Sequence, residues 1–260
     1  MSCIARAWLA ALALVVPASA GTAAVSRPSL ALTASPAHVT LEGSGNTTVR
    51  VSNIGSRRVV VDVQRAGFGL DLRGNPKILP RRRSRIARSW LTVRPRRFVL
   101  RAGGRTSLTV SARLPHRADA GDHEALVLLV TRPRRRAGVA VRMRLGVVVD
   151  VRAPGRVVRR LALRGLEVRP HGRLRTLELL VINRGNVTEE IGEDRGSLTL
   201  RRRGHLLARL QAEPRQLLPR SRGLVLFRYR GRARGYVSAL AALPSDSGGA
   251  VAYRTFRVRL

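Results

Sequence analysis

The sequence predicts an all-β protein made of two tandem immunoglobulin-like β-sandwiches that follow a cleaved signal peptide. Short segments alternate apolar and polar residues, turn residues separate these segments, and the pattern Val-x-Asn-x-Gly occurs twice, at Asn53 and Asn183. Alternation with a period of two is typical of half-buried strands. Many such strands, spaced about 8 to 12 residues apart, are typical of sandwiches and barrels.

The two halves of the chain repeat one order of features. The first half contains HVTLE, NTTVRVSN and RRVVVDVQR, then an irregular basic stretch, then WLTVRP, RTSLTVSAR and HEALVLLVT. In both halves a Pro-Arg-x-apolar-apolar segment, at Pro95 and at Pro214, follows the Asn-x-Gly pattern and precedes a long alternating strand. Pro and Gly at Ala153–Gly155 separate the halves. We therefore predict domains at 28–153 and 156–260.

The repeated Asn-x-Gly pattern predicts the same chain reversal in each sandwich. An asparagine side chain can bond the backbone two residues further on, and a glycine can take a positive φ without steric strain. We expect Gly55 and Gly185 to adopt such a conformation.

The N-terminal residues predict export. One Arg precedes an apolar run from Ala7 to Val16, which is followed by Pro17 and a small-residue triplet. This order is typical of a secretory signal peptide, and the run is too short to span a membrane; the alternative is a buried N-terminal helix. We predict a signal peptide at 1–20, a linker at 21–27, and an extracellular, cell-wall associated or periplasmic location. Cys3, the only cysteine, lies inside this leader, so the mature chain has no disulfide or cysteine metal site.

The formal net charge is +35, and Lys77 is the only lysine among 50 basic residues. The dominance of arginine over lysine, together with abundant Ala, Gly, Val and Leu, indicates a compositional bias. The electrostatic field of so positive a surface nevertheless attracts polyanions. The two densest basic runs are Pro80–Arg88 and Arg132–Gly138, and the first lies in the irregular stretch of the first half, Ile78–Arg88. We predict an anion-binding or partner-binding site there, and the alternative is a solvated loop. The candidate residues are Arg81, Arg82, Arg83, Arg85 and Arg88.

No residue pattern predicts catalysis or a cofactor. The five histidines are dispersed, whereas zinc or a histidine base requires convergent ligands. The acidic run at 189–194 matches no calcium loop, and neither a Gly-x-Ser-x-Gly elbow nor a phosphate-binding loop occurs. We therefore predict a protein that is not an enzyme and has no metal or cofactor.

Several segments resemble known families. SPAHVTLEGSGNTTVRVSNIGS resembles the opening of bacterial extracytoplasmic immunoglobulin-like domains. WLTVRPRRFVLRAGGRTSLTVSARLP and AGDHEALVLLVT resemble the second half of such domains in two groups, the periplasmic pilus-chaperone-like (PapD-like) superfamily and the peptidoglycan-binding domain of WxL-interacting proteins. The resemblance covers 28–155 and, more weakly, the second half. The chaperones' subunit-anchoring Arg and Lys pair matches no defined position here, and no C-terminal membrane span follows.

We predict a non-catalytic, exported cell-envelope protein that binds or scaffolds an anionic wall polymer or an acidic protein partner through 78–88. The alternative is a chaperone-like assembly factor that lends a strand to exported surface subunits, as the pilus-chaperone resemblance implies. We expect no specific nucleic-acid partner and at most peripheral membrane contact.

Overall fold

A computed structural model describes residues 28–84, 86–133, 141–172, 174–244 and 251–260. The predicted signal peptide and linker lie outside these residues. Strands dominate the described chain, and its helical segments are three short turns, Arg81–Arg83, Ile86–Trp90 and Glu193–Arg195. None of the helices in the described ranges has the length and apolar character needed to cross a membrane.

Ten strands form the first sandwich: β1 (Leu32–Ser35), β2 (His38–Glu42), β3 (Gly45–Asn53), β4 (Val59–Leu70), β5 (Pro76–Leu79), β6 (Leu91–Arg94), β7 (Arg97–Leu100), β8 (Arg105–Ala112), β9 (Gly121–Thr131) and β10 (Arg144–Ala153). One sheet, the back sheet, has the order β1-β3-β8-β6. The other, the front sheet, has the order β2-β10-β9-β4-β5, and β7 also pairs with β4. The pairing of β2 with β10 is parallel.

Alternating side chains from both sheets meet in the core of the first sandwich. Val49 and Val51 of the back sheet pack in one cluster with Val127, Val147 and Val149 of the front sheet, and all five are at most 1% exposed. Their polar neighbours in sequence point to the other side of each sheet, as the period of a strand requires. Aromatic residues contribute little to this core apart from Trp90 and the partly buried Phe98.

Nine strands form the second sandwich: β11 (Leu161–His171), β12 (Leu174–Asn183), β13 (Glu189–Ile191), β14 (Ser197–Arg202), β15 (His205–Gln211), β16 (Arg215–Leu217), β17 (Arg222–Tyr229), β18 (Tyr236–Pro244) and β19 (Val251–Arg259). A three-stranded sheet, β11-β12-β17, lies over a four-stranded sheet, β15-β14-β18-β19, and β13 pairs with β16. Leu177, Leu179, Leu198, Leu200 and Phe227 are fully buried between them.

These two separate cores confirm the prediction of tandem sandwiches. The predicted limits at 28–153 and 156–260 stay a prediction. In the structure β10 ends at Ala153, β11 begins at Leu161, and residues 154–160 contain no strand.

The two Asn-x-Gly turns are built alike, with both asparagines fully buried. The Asn53 amide donates to the carbonyls of Arg57 (2.7 Å) and Arg101 (2.9 Å), and its oxygen accepts from the Gly55 N–H (3.1 Å). The Asn183 amide donates to Val187 (2.8 Å) and Leu217 (3.0 Å), and its oxygen accepts from the Gly185 N–H (2.8 Å). Each asparagine therefore ties its turn to a second segment of the same sandwich.

The prediction that Gly55 and Gly185 take a positive φ is wrong, because neither belongs to the glycines with a positive φ. Glycine is required by close packing of backbone instead. A Cβ on Gly55 would lie 2.8 Å from the Ala31 nitrogen, and one on Gly185 would lie 2.3 Å from the Val158 oxygen. Both distances are too short for a carbon atom.

Candidate functional site

The front sheet of the first sandwich has an open backbone edge. β10 pairs with β9 from Arg144 to Ala153, but with β2 only from Val148 to Arg152. The Val148 N–H donates to the Ala37 carbonyl on the β2 side (2.9 Å), and backbone groups alternate in direction along a strand. The N–H and C=O groups of Arg144 and Gly146 therefore point away from β9, where no strand of the described residues pairs with them.

The same part of the chain alternates apolar and basic side chains. Val141, Met143, Leu145 and Val147 alternate with Arg142, Arg144 and Gly146. Burial falls steadily toward the N-terminal end of this series: Val147 is fully buried, Leu145 and Met143 are half-buried, and Val141 is 64% exposed. The strand thus leaves the core while it keeps an apolar stripe on one side and an open backbone edge.

The face of the front sheet that points away from the first core is also apolar beside this edge. Leu126, Leu128 and Val130 of β9 form a separate buried cluster with Ala66, and Phe68 and Val148 pack against it. Strand residues on this side normally face water and are polar. Apolar residues therefore lie on both sides of the front sheet beside β10, and on the side away from the first core those of β9 are buried.

Two turns of the first sandwich contact the second sandwich. The first is the β4–β5 turn, where the Leu224 N–H donates to the Leu72 carbonyl (2.8 Å). In the same turn, Arg73 forms an ion pair with the buried Glu178 (3.1 Å). Arg215 donates to the carbonyls of Asp71 (3.0 Å) and Leu72 (3.1 Å), and its own burial lowers its pKa.

The second contact uses the start of β9 and the Asn183 turn. The Asp122 N–H donates to the Asn186 carbonyl (2.8 Å), and the Thr188 N–H donates to the Asp122 carboxylate (2.8 Å). That carboxylate is 5% exposed and accepts two bonds from Arg152, at 2.6 and 3.1 Å. One buried anion therefore links β9, β10 and the second sandwich.

Two further carboxyls lie next to this junction. Burial, and then the charge of Asp150, raise the pKa of Glu124 to about 8, and its carboxyl lies 3.2 Å from the Thr188 hydroxyl. Burial also raises the pKa of Asp150, against the opposing effect of His38, whose Nε2 lies 2.5 Å from its carboxylate. Glu124 contacts the second sandwich through Thr188, and Asp150 lies opposite Glu124 in the front sheet. Within the described ranges no three His, Cys, Asp or Glu side chains are placed to hold a metal.

A basic depression lies beside the predicted anion site. Its described lining consists of Arg65 of β4, Arg81 of the first helical turn and Arg96, together with Val63, Gln64, Thr92 and Val93, and none of these carries a carboxylate. Burial first, and then the charges of Arg81 and Arg96, lower the pKa of Arg65. The Arg65 guanidinium also donates to the Leu91 carbonyl, which fixes its position.

The structure describes the side chains of two of the five predicted site residues. Arg81 and Arg82 are exposed on a helical turn that begins after Pro80, and Arg81 faces the depression. Arg85 and the side chains of Arg83 and Arg88 lie outside what the structure describes. Sequence reasoning missed Arg65 and Arg96, because strand pairing rather than sequence distance brings them to Arg81. It also treated the Val141–Val147 alternation as ordinary strand, although the run of four apolar residues between basic ones was visible.

No family model matches the sequence, and no curated protein matches it. Solved structures with a similar fold exist at low sequence identity. One is described as a chaperone–tip adhesin complex of CFA/I fimbriae biogenesis, with 10% identity and a TM-score of 0.49, covering 86% of this chain and 98% of that one. Another is the CsuC–CsuE chaperone–tip adhesion subunit complex of Acinetobacter baumannii, with 14% identity, a TM-score of 0.45, and 88% and 98% of the two chains covered. A third is the E. coli chaperone DraB, with 14% identity, a TM-score of 0.44, and 89% and 99% covered. Each of the three descriptions names a chaperone.

Proposed function

We propose that this protein is an exported, non-catalytic assembly factor that binds a strand of another exported protein at the open edge of β10. One observation carries the proposal: from Arg144 to Val147, β10 has an unpaired backbone edge beside a row of apolar side chains. The exposure of these side chains increases from Val147 towards the N-terminal end of the row at Val141. The resemblance of the sequence to the pilus-chaperone-like superfamily and the periplasmic location it implies agree with this role.

Physical reasons favour strand addition at this edge. An unpaired strand edge is a template for another chain, and natural proteins usually block such edges with charge, Pro or a bulge. Main-chain hydrogen bonds would supply affinity, and the apolar side chains of alternate residues would supply selectivity. The side chains of Arg142 and Arg144 would favour a partner strand with acidic or polar residues beside them.

Proline at position 144 tests the proposal. The Arg144 N–H points to the open side, so Arg144→Pro removes a donor that the folded protein does not use, and edge strands tolerate proline at such positions. Arg144→Ser keeps the N–H and serves as the matched control. Exported proteins from the native host should co-purify with the wild type and with Arg144→Ser, but not with Arg144→Pro. Equal co-purification with both variants would contradict strand addition.

A second candidate function is docking of an anionic group of a wall polymer or an acidic protein in the basic depression. It is favoured by the convergence of Arg65, Arg81 and Arg96 in a depression whose described lining residues include no carboxylate. Arg81, Arg82, Arg83, Arg85 and Arg88 remain the proposed binding residues, to which we add Arg65 and Arg96. We expect Arg96→Gln to weaken retention on purified cell wall at low salt, while Arg105→Gln on the back sheet should not. Equal retention of both variants would exclude the depression as the site.

A further inference from the structure

The four-stranded sheet of the second sandwich carries arginines that no acidic side chain of the described residues neutralises. Its strands contain no Asp or Glu and six arginines, namely Arg201, Arg202, Arg209, Arg254, Arg257 and Arg259. Strand pairing places Arg201, Arg209, Arg257 and Arg259 on the face that points away from the core. None of these four forms an ion pair with a described residue. Asp246, in the β18–β19 connection, lies outside the described residues.

The same face exposes large apolar side chains between its arginines. Tyr236 is 59% exposed and Tyr253 is 66% exposed, and Leu206, Leu240 and Val251 are exposed beside them. The Arg257 guanidinium lies 4.6 Å above the centre of the Tyr236 ring, so the cation and the ring are presented together. We call these four arginines and five apolar residues the arginine–tyrosine face.

The back sheet of the first sandwich provides an internal comparison. Its outer face carries Arg50, Arg94 and Arg105, and the remaining exposed residues are serine, threonine and asparagine. It therefore shows similar positive charge with no exposed apolar side chain. Both faces carry arginine, as the arginine-rich composition leads us to expect. Of these two faces, the arginine–tyrosine face alone also has a cluster of exposed tyrosine, leucine and valine side chains.

We infer that the arginine–tyrosine face is a docking surface for an anionic lipid bilayer. Tyrosine is favoured at the boundary between head groups and acyl chains, because its ring is apolar and its hydroxyl is polar. Arginines around such residues meet the anionic head groups, and each basic residue near an anionic surface strengthens binding about fivefold. A soluble polyanion would use the arginines but would leave Leu240 and Val251 in water. This surface is separate from the β10 edge, so the inference does not depend on the proposed function.

Vesicle flotation with the full chain, as exported by its host, tests this inference. The vesicles are phosphatidylcholine with and without phosphatidylglycerol. The charge variant is Arg201→Gln with Arg257→Gln and Arg259→Gln, and it should lower affinity for the anionic vesicles by about two orders of magnitude. The matched control is Arg50→Gln with Arg94→Gln and Arg105→Gln, which removes the same charge from the back sheet. It should lower affinity by no more than about threefold.

A second variant separates a bilayer from a soluble polyanion. Tyr236→Ser with Tyr253→Ser should lower affinity for anionic vesicles about tenfold and leave affinity for inorganic polyphosphate unchanged. All substituted side chains are exposed, and far-UV circular dichroism will verify that each variant is folded. Equal losses in the two triple arginine variants would overturn the inference. An unchanged vesicle affinity in the tyrosine variant would overturn it as well, because binding would then be purely electrostatic.

Discussion

Replacing Asn183 with alanine should destabilise the second sandwich more than its small change in volume implies. The Asn183 amide and its oxygen serve three backbone groups, at Val187, Leu217 and Gly185, within a site that is fully buried. Alanine leaves these groups without partners or water. Each buried group left unpaired costs about 1–3 kcal/mol, so we expect the free energy of unfolding to fall by about 3–5 kcal/mol.

Equilibrium unfolding in urea can assign this loss to one sandwich. Trp90 lies in the first core, and the other tryptophan, Trp8, lies in the predicted signal peptide. In a chain without that peptide, tryptophan fluorescence reports the first sandwich, whereas far-UV circular dichroism reports both. Asn183→Ala should shift the circular dichroism transition more than the Trp90 transition, and Asn53→Ala should do the reverse. The exposed Asn46 provides the control, and Asn46→Ala should change stability by less than about 0.5 kcal/mol.

A small effect of Asn183→Ala would refute the reasoning. A loss below about 1 kcal/mol would mean that the three backbone groups find other partners, or that the site admits water. A loss that appeared equally in the Trp90 signal would mean that the two sandwiches unfold as one unit, which would conflict with the separate roles of the two asparagines.

Three further substitutions test the junction and the turn. In the folded protein burial raises the pKa of Glu124 to about 8, against an ordinary value of 4.5, so the folded protein keeps a proton that the unfolded chain releases. As the pH rises between these two values, the free energy of unfolding should therefore fall by at most about 5 kcal/mol. Urea titrations across pH should show that Glu124→Gln removes this dependence. Asp122→Ala removes the acceptor of the Arg152 guanidinium and of the Thr188 N–H and should cost about 1–3 kcal/mol, with calorimetry showing the two sandwiches melting further apart; a single unshifted transition would argue against the link. Gly185→Ala should cost at least about 1–3 kcal/mol because of the Val158 carbonyl, whereas Gly165→Ala, with nothing within 4 Å, should cost little; equal losses in thermal melts would contradict the close-packing explanation.

Local pattern predicted the architecture well. Alternation located most strands, because each strand buries one side and its period is visible in ten or fewer residues. The repeated Asn-x-Gly turn predicted two similar units, and both turns are indeed built alike. The explanation for glycine was wrong because φ is only one reason for glycine. The other is approach of a distant backbone, at Ala31 and at Val158, which the local sequence does not contain.

The candidate sites depend on contacts between distant segments, which local pattern does not specify. The open edge of β10 exists because β2, more than a hundred residues earlier, pairs in parallel with only part of it. The basic depression similarly joins Arg65, Arg81 and Arg96 from separate elements. Composition predicted strong positive charge, yet it could not distinguish the back sheet from the arginine–tyrosine face. That distinction requires knowing which side of each strand is exposed.

Hydrogen exchange at the open edge tests the central claim most directly. In the free protein the backbone amides of Arg144 and Gly146 should exchange rapidly, while the amide of Leu145, which points toward β9, should be protected. In a complex purified with an exported partner, the amides of Arg144 and Gly146 should become protected, and the exposed strands of the back sheet should not change. Rapid exchange of both amides in the complex would show that the partner binds elsewhere, and strand addition at β10 would be excluded.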